Sequence, residues 1–119
     1  LDRIEPVLDL EQIREIQQEV AQVHVDESIL EYIVEIIHTT RHDNRLQLGI
    51  STRGTLMLSR AARARAYHEK REYVIPDDVL WCVPHVLPHR VIPTSKTRYS
   101  GATTKQIIAD IVGRIKVPV

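Results

Sequence analysis

The 119-residue sequence predicts an all-α domain, a small bundle of about five helices. Three observations point there. Apolar residues recur every three to four positions along several stretches. Capping signals stand ahead of those stretches, and the middle of the chain is an Ala-rich run bounded by polar connections. The length suits one domain over residues 1–119 with a real core. Phe is absent and only five residues are Trp or Tyr, so that core must be built from Ile, Val, Leu and Ala.

The first helix is expected over 10–23. Asp9 is placed as N-cap, with Gln12 three residues on at capping-box spacing, and Leu10, Ile13, Ile16, Val20 and Val23 give one apolar face. The second follows Asp26 and runs to about Thr40; Ile29, Leu30, Ile33, Val34, Ile36 and Ile37 make a broad stripe opposite Glu27, Glu31 and Glu35. Its β-branched content suits a strand, but the 3.6-residue period and the length select helix. "RHDNRLQLG" reads as a polar connection ending in Gly49. The third helix spans Thr52 to about Lys70, with alanines spread around the cylinder, as expected of a central helix with several neighbours. Pro76 opens the fourth, and Asp77 and Asp78 suit its positive end. Pro84 should kink or end it. "PTSKTRYSGATT" reads as a second connection, and the last helix runs from Thr104 to Ile115 behind a Thr103/Gln106 capping box.

Sixteen basic and sixteen acidic residues give a net charge of zero, yet residues 1–35 hold ten acids against Arg3 and Arg14. The halves therefore carry about −8 and +8. Acidic helices facing basic ones explain this better than a nucleic-acid surface, since a neutral total gives little pull on DNA. The single Cys82, within "VLWCV", permits no intrachain disulfide and reads as a small buried side chain in a reducing compartment. No apolar run reaches membrane-spanning length and no signal peptide is evident, so a cytoplasmic location without membrane contact is expected.

Few residues suggest chemistry. Four glycines, none suitably spaced, leave no phosphate-cradling loop, and nothing marks a nucleophile with its base. His38 with His42 and His85 with His89 have the i, i+4 spacing of metal ligands. However, His42 falls past the expected helix end and Pro88 interrupts the second pair, so no metal site is expected. Arg53, Arg60 and Arg71 fall in one row of the third helix, within about 20° at 100° per residue. They could meet phosphates, but pairing with the acidic first two helices is the favoured reading. Arg53 stands apart in "LGISTRG". Ser51 is expected to cap the helix through its hydroxyl, which places a cation in the first turn, where the macrodipole already disfavours one. Free N–H groups plus an added guanidinium make an anion site.

"LGISTRG", "LSRAARARAYHEKREYVIPDDV" and "VLPHR", in that order, resemble the C-terminal helical lid of AAA+ ATPases of the MoxR type. "VHVDESILEYIVEIIHTTR" upstream and "IIADIVGRIKVPV" downstream fit as well, so the resemblance covers nearly all of residues 5–119. It implies that Arg53 is the sensor 2 arginine, which reaches the terminal phosphates of bound ATP. Gly49 would allow a tight turn, and Ser51 and Thr52 would set the helix start that aims Arg53. Arg41 and Arg90 match the family's Thr-Arg and His-Arg pairs and are expected in structural ion pairs. Thr52, Ile50 and Lys70 stand where the family has proline, alanine and glycine; Pro84 is also atypical. The resemblance further implies an ATPase core preceding Leu1, with the Walker motifs and arginine finger, so that this piece alone would not hydrolyse ATP. The intact protein would use ATP and Mg²⁺ and form a ring, usually of six subunits. It would act as a chaperone-like factor on client proteins, often ones with von Willebrand factor A domains. The competing readings are a helical nucleic-acid-binding module built on the basic third helix and a purely structural interaction bundle.

Overall fold

The computed structural model describes residues 3–119. The domain is all-α, with six helices in place of the five expected: α1 (Leu10–Ala21), α2 (Glu27–Arg41), α3 (Thr52–His68), α4 (Pro76–Val86), α5 (Ser95–Tyr99) and α6 (Thr104–Arg114). A 3₁₀ turn covers Pro88–Arg90. Two short strands, β1 (Leu46–Leu48) and β2 (Ile92–Pro93), pair antiparallel with Leu46 opposite Pro93 and Leu48 opposite Ile92. Both stretches read as connections contain an element. β1 and β2 are too short to show a period, and α5 is a single five-residue turn capped by the Thr94 hydroxyl, which accepts the Thr97 N–H at 3.2 Å.

The capping boxes form as their spacing demands. Asp9 accepts the Gln12 N–H at 2.7 Å and Gln12 accepts the Asp9 N–H at 2.9 Å; Thr103 and Gln106 do the same ahead of α6. The apolar face of α1, by contrast, is not buried: Leu10 is 62% exposed and Ile13 40%. Only the second half of the helix meets α3, where Ile16 and Val20 share a cleft with Ala64 and Tyr67, and the Tyr67 hydroxyl donates to Glu19. α2 buries Ile29, Tyr32, Ile33, Ile36 and Ile37 but leaves Leu30 and Val34 outside, a narrower stripe than expected.

α3 is central, packing on α4, α2 and α1. Gly54, Leu58, Ala62 and Ala66 line its buried side at four-residue spacing, and the glycine and alanines among them allow neighbouring elements a close approach. α4 does not stop at Pro84 but continues to Val86. Proline there forfeits one hydrogen bond to the Leu80 carbonyl, in the last turn of the helix and on its exposed side, where the loss is least. The buried apolar side chains, among them Ile33, Ile36, Ile50, Leu58, Val79, Leu87, Ile107 and Ile111, form one continuous core. Cys82 belongs to it, and burial pushes its thiol up to about 11, which makes it inert at neutral pH. Among the described residues, no helix is long and apolar enough to cross a membrane.

Candidate functional site

The site is the mouth of α3, and the segment that leads into it is held from three directions. Ile50, wholly buried, anchors the chain two residues before the helix. Its N–H donates to the Thr40 hydroxyl at 3.1 Å, and its carbonyl accepts from Arg41 Nε at 2.8 Å. The end of α2 thus grips the backbone that starts α3. Gly49 completes the fit by its lack of a side chain. A Cβ there would lie 2.6 Å from Arg41 Cα and 2.7 Å from its nitrogen. The need for glycine is a close approach of two backbones, not the tight turn expected of it. Gly54 is required for a different reason: a Cβ there would run into the Cγ2 methyl of the wholly buried Ile50 side chain.

Ser51 occupies the N-cap with extended backbone, but its side chain makes no capping bond, contrary to expectation. The backbone is set by the grip on Ile50, which leaves the hydroxyl free. The Gly54 N–H is satisfied by the Ser51 carbonyl at 2.9 Å. The N–H groups of Thr52 and Arg53 find no acceptor among the described residues, and the first turn holds no acid. Arg53 itself projects from this turn into solvent. All four residues singled out from sequence, Gly49, Ser51, Thr52 and Arg53, therefore meet at one end of one helix.

Two further arginines join them. A cleft of about 580 Å³ opens beside the helix start, lined in part by Arg41, Gln47, Ser51, His89 and Arg90. The stem of Arg90 packs near the first turn of α3, with Cδ 3.7 Å from the position a Cβ on Gly54 would take. Arg41 and Arg90 are not in the ion pairs expected of them. Among the described residues no carboxylate lies within 4.0 Å of Arg41, Arg53 or Arg90. Thr40 and Gly54, which set the geometry, were not singled out from sequence; the signal for each is packing against Ile50, which only the fold displays.

The wider charge pattern also differs from expectation. Apart from the Tyr67–Glu19 hydrogen bond, the basic third helix does not pair with the acidic first two. Arg65 bonds Glu69 on its own helix at 3.0 Å and lies over the Trp81 ring at 4.3 Å. Arg71, beyond the helix end, pairs with buried Asp78 of α4. Arg60 and Arg63 have no ion pair among the described residues. Of the histidines, His42 caps α2 with Nδ1 3.0 Å from the His38 carbonyl, and His85 stacks on Trp81. Among the described residues no three His, Cys, Asp or Glu side chains cluster as a metal site would need. An apolar groove between α4 and α6, lined by Leu80, Ile108 and Val112, offers no such convergence of donors.

With this geometry established, relatives can be compared. Residues 38–111 match the AAA lid domain family. The uncharacterized protein YeaC of Bacillus subtilis (strain 168) is 41% identical over the whole chain, which spans 37% of that protein. Chaperone MoxR1 of Mycobacterium tuberculosis is 26% identical over 94% of the chain and 32% of its own length. Protein MoxR of Methylorubrum extorquens is 38% identical over 59% of the chain and 20% of its own length. A crystal structure of a candidate ATPase from Cytophaga hutchinsonii superposes on 92% of the chain and 36% of its own, with a TM-score of 0.85 and 29% identity. The chain thus spans roughly a third of the length of the longer proteins it matches end to end.

Proposed function

This chain belongs to the AAA lid domain family, of the MoxR type, and from that premise we propose that it serves as the nucleotide-sensing lid of an AAA+ ATPase, with Arg53 as its sensor 2 residue. In this reading residues 1–119 are the lid, and an ATPase core elsewhere in the parent chain carries the Walker motifs. ATP supplies the phosphoryl group to be cleaved and, with Mg²⁺, most of the charge to be managed. The mouth of α3 offers N–H and O–H donors and no carboxylate, so it suits phosphate oxygens, and Mg²⁺ falls to the core. Arg53 reaches toward the terminal phosphate and balances the negative charge there, while Thr40, Gly49 and Ile50 hold the helix start that aims it.

One observation carries the proposal: an arginine with no carboxylate within 4.0 Å among the described residues, placed in the first turn of a seventeen-residue helix, where the dipole disfavours a cation and a bound anion would offset that cost. Closing on nucleotide then gives the lid two positions relative to the core, and in a ring, usually of six subunits, that difference passes to the neighbour. The intact protein would spend this motion on client proteins in a chaperone-like role, with von Willebrand factor A domains among the expected partners, in the cytoplasm. The test is Arg53→Ala in the intact ATPase. Turnover should fall by about a hundredfold, the typical cost of one transition-state donor, while the far-UV circular dichroism stays unchanged. Turnover equal to wild type would refute the sensor role.

A further inference from the structure

We propose that the outer face of α2 in one copy of this chain docks on the outer face of α3 in a second copy, an acidic apolar ridge against a basic one. The contact uses no nucleotide and is independent of the role of Arg53. On α2, Leu30, Val34, Glu27 and Glu31 share one side of the helix, within about 100° at 100° per residue. On α3, Leu56, Met57, Arg60 and Arg63 share one side within about 120°. The four apolar side chains are between 37% and 55% exposed. A lone exposed aliphatic residue is ordinary on a protein surface, but here each helix carries two, bordered by charges of one sign. Those charges are unspent. Among the described residues, no basic group lies within 4.0 Å of Glu27 or Glu31, and no carboxylate within 4.0 Å of Arg60 or Arg63. The macrodipole accounts for Glu27 in the first turn of α2, but it accounts for neither Glu31 nor the arginines. Arg63 also keeps its Nε buried without an acceptor.

Within one copy neither ridge covers the other. α2 and α3 pack together in the core, and the sides that carry Leu30 and Leu56 are the ones left to solvent. A second copy supplies what each ridge lacks. The chain is neutral as a whole but carries about −8 in residues 1–35, where Glu27 and Glu31 lie, and about +8 in the rest, where Arg60 and Arg63 lie. Two copies therefore approach without net repulsion and attract where unlike ridges face each other. Leu30 with Val34, and Leu56 with Arg60, each form a row at four-residue spacing, the kind of ridge by which packed helices interdigitate. Aliphatic side chains would leave water at the centre of the contact while carboxylates pair with guanidiniums at its rim, which rejects alignments that bring like charges together.

The test is sedimentation equilibrium of the 119-residue chain over a concentration series, at low and at high salt and without nucleotide. The wild-type chain should self-associate, and more weakly as salt is added. Glu31→Lys and Arg60→Glu should each raise the dissociation constant by about tenfold or more. Val34→Ser, which alters no charge, should raise it by about tenfold through lost apolar burial. All three positions face solvent, and far-UV circular dichroism should match wild type. An equimolar mixture of the Glu31→Lys and Arg60→Glu chains should recover the wild-type affinity, because each reversed charge then meets an opposite one across the contact. Lys105→Glu on α6 changes the net charge by as much as Arg60→Glu and should associate like wild type. A chain that stays monomeric, association indifferent to the three variants, a mixture that fails to recover, or a Lys105→Glu chain weakened as much as Arg60→Glu would each overturn the proposal.

Discussion

At its C-terminal end α3 closes with a hydrogen-bonded turn and paired arginines, whereas at its N-terminal end, among the described residues, two amides and a hydroxyl have no acceptor or donor partner and Arg41, Arg53 and Arg90 have no carboxylate. After His68 the chain makes a Schellman turn: the Arg71 N–H reaches the Ala66 carbonyl and the Lys70 N–H the Tyr67 carbonyl, both at 2.9 Å. Arg65 is paired with Glu69 and stacked on Trp81, and Arg71 is paired with Asp78. Before Thr52 none of this happens, although the same chain contains two complete capping boxes elsewhere. One end is built for stability. The other leaves its donors open, which is what the proposed phosphate contact requires.

The largest effect should come from breaking the closed end. Asp78 is buried and uses both oxygens, accepting from Arg71 and from the Ile75 N–H at 2.9 Å. Asp78→Ala strands both donors. Because Arg71 keeps some contact with water, the loss should sit near the low end for a broken buried pair, about 3 kcal/mol, and lower the melting temperature by roughly 10 °C. Differential scanning calorimetry of the variant measures it. A loss near zero would mean that the closed end is no firmer than the open one.

Lys70 sharpens the contrast in the other direction. It occupies the left-handed position of the Schellman turn, with φ of 62°, where the family usually has glycine. An L side chain there costs about 1 kcal/mol relative to glycine. Lys70→Gly should therefore raise the unfolding free energy by about 1 kcal/mol, read as a higher urea midpoint with an unchanged slope.

What could be read from residues alone divides along the same line. Local rules worked where a signal and its partner are near in sequence: the Asp9 and Thr103 capping boxes, the Pro76 helix start, the stripe of α6. The family motif located Gly49, Ser51, Thr52 and Arg53 without describing how they are held. The misses depend on distant contacts. The grip of Thr40 and Arg41 on Ile50 spans a connection of nine or ten residues. Gly54 looks like an ordinary helix glycine until Ile50 is set against it. The charge asymmetry suggested acidic helices pairing with basic ones, but oppositely charged neighbours close in sequence supply most of the ion pairs, as with Arg45 and Asp43, Arg65 and Glu69, and Arg114 and Asp110. Opposite net charge on two segments fixes no geometry between them.

The smallest predicted effect tests the open end most directly. If Arg53 contributes to function and nothing to the isolated fold, removing it should relieve an unfavourable cation in the first turn of α3 and its repulsion from Arg41 and Arg90. In the 119-residue chain, Arg53→Ala should therefore be slightly more stable than wild type, by about 0.3–1 kcal/mol at low ionic strength. The gain should shrink as salt is added, because an exposed charge is screened over about 10 Å at 0.1 M. Arg53→Lys keeps the charge and should show no gain, which separates electrostatics from helix propensity. Urea denaturation of the three proteins at two salt concentrations resolves this. A chain destabilised by the loss of Arg53 would mean that the arginine has a partner inside the lid, and the difference between the two ends of α3 would then be one of degree.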